Sequence, residues 1–458
     1  MSSLSCVIAG AGPAGLVAAL SLGKAGIKVT VLERASKEKV SSDVGSGFRV
    51  GLTASEIFER LGLGEQLNQA YQDADFMRYY SMNGNLMRSR QLKNSTRYKD
   101  KKLRRVLLRS YLQRVLLEEI ASLECVNIIY DAKVMRFTDE KDKPVKIFCL
   151  VKGEEKNYEG DVLLACDGIH SSVRSYMYSD EADYLHFCNC VTWWGAMDVG
   201  PESTLFQYLQ EAKFSINQTS LLYGIGTSRQ PGHLEASVSA SANVPGGYGI
   251  TWSLTRKSKE SYFFHSDDVH LGKRGGISGE ESKLHAYAAA GDKFKLLRKI
   301  IEATPDAKIV ECGLFDRERL DLPYVNGRVA LVGDAAHPQT QSLNQGFNTA
   351  VVDAYCLAQL LQQNSPMDAE TVQNTLKQYG NEKRHKQMNY LITKARKKSL
   401  GSVSNTWIKS LHRKYYYKYK SAGALDRAFA NWDFSNRKIL NTTDKTTQKH
   451  RNKKKFSI

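Results

Sequence analysis

The chain has 458 residues, 42% hydrophobic and 25% charged, a composition that suits a globular protein with more than one structural unit and excludes a chain too polar to build a core. No apolar run reaches the length of a membrane-spanning helix. The formal charge of +17 belongs to the end of the chain, because residues 383–458 carry 21 Lys and Arg against three acids and residues 1–382 are close to neutral.

The eight cysteines form no CxxC pair, and only Cys188 and Cys190 stand close together. That argues for buried, reduced thiols in a cytoplasmic protein rather than a disulfide framework, and no metal site is expected. The first strand is expected near residue 6, which leaves no room for a signal peptide.

In chain order, Cys6–Ala9 reads as an apolar strand running into Gly10-Ala11-Gly12-Pro13-Ala14-Gly15. A helix-period pattern follows through Leu22 to Gly26, and Lys28–Leu32 is a second strand ending on Glu33. Such a βαβ unit lets a dinucleotide diphosphate approach the backbone at the glycines and rest on a helix N-terminus, with the acid placed for a ribose. Glu33 disfavours a 2′-phosphate, a preference softened by Arg34 beside it, so FAD or NAD is expected over NADP. This motif alone does not separate the two.

Val44–Gly51 is glycine-rich and reads as a loop near a ligand. Thr53–Leu63 reads as a helix N-capped by Thr53 and ended by Gly64, and Phe76–Arg90 as a hairpin turning at Asn83-Gly84. Arg104–Leu123 has the spacing of one long helix, with Arg109 in its first turns. Strands are expected at Asn127–Tyr130, Lys133–Phe137, Val145–Val151 and Lys156–Leu164. Asp161–Arg174 should deliver Asp167-Gly168 from a strand end into a helix that begins around Ser171 and Ser172.

Residues 185–265 change to short β-type segments separated by Pro and Gly, and read as an antiparallel sheet with Trp193, Trp194 and Trp252 mainly in its core. Gly272–Gly279 reads as linker. Gly327–Ala354 repeats the strand-end design: Val329–Val332 leads to Gly333-Asp334, and Gly346-Phe347-Asn348 opens a helix through Leu361. His337 beside Pro338 is assigned a structural role. A tail helix is expected over Met367–Lys398, and Asn441–Lys455 has the composition of a disordered end. Packing on the domain is the first reading of the basic, aromatic stretch Ser404–Lys420. Peripheral contact with an anionic membrane is the alternative, and no nucleic-acid partner is expected.

Together these stretches resemble the FAD-dependent aromatic-hydroxylase type of flavoprotein monooxygenase. GAGPAG with Glu33-Arg34 is similar to its first FAD motif, LLACDGIHSSVR to its Asp-Gly motif, and GRVALVGDAAHP to its Gly-Asp motif, over about residues 4–400. The resemblance implies a Rossmann-like α/β FAD-binding domain (residues 1–180 and 291–382), an inserted antiparallel-sheet substrate domain (181–290) and a basic helical tail (383–458). It implies bound FAD, NADPH or NADH as a transient co-substrate, O2, and a small, aromatic or otherwise electron-rich substrate hydroxylated through a flavin C4a-hydroperoxide. By the same resemblance Gly47 lies in the flavin-proximal loop, Arg109 contacts FAD and the Val134 backbone meets the adenine. Asp167 and Gly168 serve FAD and the pyridine nucleotide, Gly333 and Asp334 bind the ribityl side, and Gly346 and Asn348 open the helix facing the flavin pyrimidine edge. The implied alternatives are a flavin oxidoreductase for a lipid or prenyl substrate and a non-catalytic binding protein on the same fold. The chain departs from the family pattern at Cys166, usually Ala, at Gln341, usually Pro, and at Asn344, usually Gly. Gln341 changes the flexibility and polarity of the loop beside the flavin ring.

Overall fold

The computed structural model describes residues 4–402 except 43–46, 74–75, 82–85, 92–104, 179–184, 212–217, 226–232, 242–247, 258–278, 293–294, 318–319 and 365–367. Its first sheet has six strands in the order Val325–Asn326, Val329–Leu331, Val162–Ala165, Ser5–Ala9, Lys28–Leu32, Val126–Ile129. All neighbours pair in parallel except at the Val325–Asn326 edge. The strands are short apolar runs because both faces are covered. Cys6 and Ile8 pack against the helices Pro13–Gly23, Arg109–Ala121 and Gly346–Gln363, whereas Val7 and Ala9 pack against a three-stranded sheet. That sheet comprises Ala132–Thr138, Val145–Val151 and Glu154–Gly160. Each fully buried Leu or Val here contributes about 1.5–3 kcal/mol.

Register decides where the motifs meet. Ala9 lies opposite both Leu32 and Ala165, and Ala165 lies opposite Leu331. The strands therefore end together, and the residues that follow them, Gly10, Glu33, Cys166-Asp167 and Val332-Gly333, come off one sheet edge side by side.

The second sheet has seven strands, in the order Ile309–Arg317, Leu185–Val199, Tyr248–Lys257, His233–Ser241, Gln218–Ile225, Phe76–Ser81, Leu86–Gln91. It is antiparallel apart from the pairing of Gln218–Ile225 with Phe76–Ser81. One face carries Trp193, Ile250, Trp252 and Leu254 onto Ala286, Leu297 and Ile300 of the helices Glu280–Ala290 and Lys295–Ala303. Trp252 Nε1 donates to Thr304 Oγ1 at 3.0 Å, which satisfies its buried N–H.

Several elements differ from the sequence expectation for physical reasons. The sheet is not confined to residues 181–290, since it recruits Phe76–Gln91 and Ile309–Arg317 from the flanking segments. Arg104–Leu123 is not one helix: Arg105–Leu108 is a strand paired with Gly47–Val50, and the helix starts at Arg109. Its partner Gly47–Val50 is thus a strand where a loop is expected, while 43–46 lie outside the described residues. Lys156–Leu164 divides at Asp161, whose carboxylate accepts from the Ser5 N–H (2.7 Å) and sends the chain from one sheet to the other. Thr53 is buried inside the helix Leu52–Arg60, whose N-cap is Gly51, and Gly64 begins the next helix, Gly64–Ala70. The hairpin strands 76–81 and 86–91 form as expected, but Asn83-Gly84 lies outside the described residues, as do residues 272–278 of the expected linker.

The expected tail helix is two, Ala369–Tyr379 and Glu382–Ser402, broken at Gly380. Met388, Leu391, Ile392 and Ala395 are buried, so the first turns of the basic tail belong to the folded body. Residues 403–458, with Ser404–Lys420 and Asn441–Lys455, lie outside the described residues. No helix among the described residues is long and apolar enough to cross a membrane.

Candidate active site

At the first strand end, Gly10 has φ +96°, and a Cβ there would lie 2.6 Å from the Cys166 carbonyl oxygen. A Cβ on Gly15 would lie 1.9 Å from the Gly10 carbonyl oxygen, so helix and turn touch backbone to backbone. Gly12 is different, because a Cβ there would meet no protein atom within 4 Å. The space beside Gly12 is open. Pro13 is the first helical residue, and the first intrahelical bond is given by Leu16 N–H to Gly12 O. The N–H groups of Ala14 and Gly15 precede that ladder, with no side-chain cap over them. This is a cradle that fits a diphosphate.

Glu33 closes the other side. Its carboxylate accepts from Ala11 N–H (2.6 Å) and Ala35 N–H (2.8 Å), which aims it along the glycine turn and leaves lone pairs for ribose hydroxyls. Arg34 is exposed beside it. Val134 is buried, and its carbonyl accepts from Ser172 Oγ at 2.6 Å.

Asp167 is half-buried. One carboxylate oxygen receives Val173 N–H (3.3 Å) and Ser172 Oγ (3.4 Å), while the other is buried without a partner in the described structure. Burial pushes its pKa above the ordinary carboxylate range, opposed by the Ser171 hydroxyl and the backbone N–H groups around it. A ligand hydroxyl at the orphaned oxygen would fit. Gly168 follows in the turn, and Ser171 caps the helix Ser172–Met177 by accepting from Arg174 N–H at 2.9 Å.

Arg174, in the same sequence stretch, has a role its position did not announce. Only 1% exposed, it donates to the carbonyls of Ala335 (3.1 Å) and Ala336 (2.7 Å), tying the Asp-Gly element to the Gly-Asp turn.

Asp334 is exposed at that turn, and a Cβ on Gly346 would lie 3.7 Å from its carboxylate. The acid therefore flanks the N-terminus of Gly346–Gln363. Asn348 is spent inside the protein: Oδ1 accepts from Gly51 N–H (2.7 Å), and Nδ2 donates to the carbonyls of Arg49 (3.0 Å) and Asn344 (2.9 Å). Its side chain ties three segments together rather than facing a ligand, so a flavin contact there falls to the main chain. Phe48 and Phe347 stack at 4.4 Å and 5°, a second tie between the same segments. Asn344 has φ +53°, the left-handed conformation that explains both the family's usual Gly and the Asn standing here. Gly47 sits against Val106 and Thr251, so a Cβ would be 2.5 Å from Val106 Cγ1. Arg109 opens its helix immediately after Leu108, the residue paired with Gly47, and is half-buried.

His337 is structural, as expected. It is 1% exposed and contacts Asp353, which also pairs with Arg384. Its Nδ1 is buried without a partner, so a second ring proton would have no acceptor. Burial and the nearby Arg384 guanidinium lower its pKa to about 3. The unfolded imidazole takes up a proton below about pH 6.5 and the folded one does not. This contribution to stability is therefore complete above about pH 6.5 and falls by up to about 1.4 kcal/mol per unit down to the folded pKa. Urea titrations at pH 7 and pH 5 should show that fall, and His337→Gln should flatten it.

His186, Cys188 and Asp316 bring ligand-type atoms within 4.8 Å of one another. Arg396, however, donates to both oxygens of Asp316 (2.8 and 2.9 Å), and burial pushes the Cys188 thiol pKa up. The cluster is an ion-pair network with its positive charge already supplied.

A parallel sheet whose strand ends bring a glycine turn, a helix N-terminus and three acids to one edge suits a bound dinucleotide cofactor. Residues 3–217 and 293–394 match the FAD binding domain family, and the chain belongs to it. Among relatives, it is 26% identical over 362 residues to aurachin C monooxygenase/isomerase of Stigmatella aurantiaca, covering 79% of this chain and 81% of that one. It is 25% identical over 382 residues to 3-hydroxybenzoate 6-hydroxylase of Polaromonas naphthalenivorans, covering 80% of each. Its fold is similar to that of Klebsiella pneumoniae HpxO, solved with FAD and uric acid, with a TM-score of 0.73 at 19% identity over 94% of this chain and 97% of that one.

Proposed function

We propose that the protein is an NAD(P)H-dependent FAD monooxygenase that hydroxylates a small aromatic molecule. The observation that carries this reading is the common register of the strand ends, which gathers Gly10–Gly15, Glu33, Asp167 and Gly333-Asp334 at one sheet edge. Relatives named for hydroxybenzoate hydroxylation, and a neighbour solved with uric acid, support a flat substrate ring.

FAD, when bound, supplies the redox chemistry, taking electrons from NAD(P)H and activating O2. The chain's residues position and shield it. Ala14 and Gly15 N–H groups would hold the diphosphate beside Gly12, and by the family resemblance the Arg109 guanidinium would add positive charge. Glu33 accepts from the adenosine ribose, with Arg34 at the rim, and the backbone around Val134 lines the adenine. Asp334 would accept from the ribityl side, and Asp167 would serve FAD and the pyridine nucleotide. Gly47, whose missing side chain makes room for Val106, would lie in the loop near the ring system. The N–H groups at the start of Gly346–Gln363 face the pyrimidine edge and favour negative charge there. The face of the second sheet that carries Thr192, Thr251 and Thr255 would cover the ring and keep water from it.

Asp334→Ala tests the placement. Losing an ionised acceptor should weaken FAD binding about 10- to 100-fold, given about 1.5–3 kcal/mol for such a hydrogen bond. Flavin content after gel filtration is the readout, and unchanged occupancy would refute the assignment.

A further inference from the structure

Gln341 joins the loop before Gly346 to the second sheet. Its amide nitrogen donates to Thr192 Oγ1 (3.0 Å) and Thr255 Oγ1 (2.8 Å). These hydroxyls lie 3.1 Å apart, and Thr192 Oγ1 also donates to the Leu254 carbonyl at 3.2 Å. A hydroxyl has one proton. With Thr192 donating to the Leu254 carbonyl, the Thr255 proton is available for Thr192. Both hydroxyls can then accept from Gln341. With the NH2 group toward the sheet and the carbonyl away from it, every donor in this cluster has an acceptor.

Gln341 is exposed, and its carbonyl accepts no hydrogen bond among the described residues. The sheet face concerned looks toward the nucleotide-binding edge, because Thr251 on the same strand approaches Gly47 (3.6 Å from an added Cβ) while Thr192 and Thr255 hold Gln341. Trp194, two residues beyond Thr192, lies on this same face and is half-buried. The family's usual proline offers no side-chain acceptor at this position.

We propose that the Gln341 side-chain carbonyl is a specificity-determining acceptor, selecting aromatic substrates that direct an O–H or N–H donor at this loop. It disfavours a carboxylate or ether oxygen there, since two acceptors would meet with no proton between them. The inference rests on the flavin reading above.

The test titrates FAD-loaded protein with 3-hydroxybenzoate, its ether 3-methoxybenzoate, and urate, following the flavin absorbance. The donor-bearing probes should bind tighter than the ether. Gln341→Met, a change at an exposed position, should keep FAD and lose about three- to tenfold affinity for the donor probes only, the worth of one net hydrogen bond. Equal losses for donor and ether, no loss at all, or FAD-loaded wild-type protein that binds neither donor probe would overturn the proposal. Protein that takes up no FAD would instead remove the flavin reading and this inference with it, a result visible before any probe is added.

Discussion

Gly12→Val is expected to leave the unliganded fold intact and to abolish FAD binding. Gly12 has φ −73° and ψ 178°, a backbone conformation open to any residue, and its added side chain meets no protein atom near the Cβ. Stability should change by no more than about 0.5 kcal/mol, as for substitutions that touch nothing. The isopropyl group would stand where the diphosphate lies and keep it off the Ala14 and Gly15 N–H groups. Steric cost and lost charge-assisted hydrogen bonds together predict at least about a hundredfold weaker binding. Gly15→Ala is the contrasting control, because its Cβ would lie 1.9 Å from the Gly10 carbonyl oxygen and damage the fold with or without FAD. Thermal unfolding of the apoprotein and flavin fluorescence titration separate the two effects. Gly12→Val protein that binds FAD as wild type does would sink the cradle assignment.

Asp353→Ala should be the most destabilising single change in the body of the protein. Asp353 is 1% exposed, contacts His337, pairs with Arg384 (6% exposed) and accepts from Gly333 N–H at 3.4 Å. One carboxylate thus joins the Gly-Asp turn, the helix Gly346–Gln363 and the helix Glu382–Ser402. Burial already lowers the Arg384 pKa to about 10. Without Asp353 that guanidinium would be a buried, uncompensated charge, a loss of about 3–5 kcal/mol. Adding Arg384→Met to Asp353→Ala should recover part of it by removing the stranded charge. Urea denaturation measures both, and a loss below about 1 kcal/mol for Asp353→Ala would show that the ion pair does not hold these elements together.

The parts of the site legible in the sequence are those fixed locally. A glycine turn between an apolar strand and a helix, or an acid one residue past a strand, has its meaning within about ten residues. Gly10–Gly15, Glu33, Asp167 and Gly333-Asp334 accordingly lie together at the strand ends. Where partners are distant the pattern misleads. Val106 and Leu107 suit a helix stripe equally well, and only pairing with Gly47–Val50 makes them strand. Asn348 looks ligand-directed beside Gly346, yet its amide is used by Gly51, Arg49 and Asn344. Arg174 carries no signal of its own in the sequence, and burial under the Gly-Asp turn gives it its role. Gln341 is legible as a departure from the family's proline, but its orientation depends on two threonines from separate strands.

The visible spectrum of the purified, FAD-loaded protein as NADPH and then air are admitted tests the central claim most directly, with NADH run in parallel. The account predicts a flavin spectrum that bleaches on addition of a nicotinamide nucleotide and returns in air. A colourless protein that cannot be loaded with FAD would contradict it and leave the motifs as an inherited scaffold.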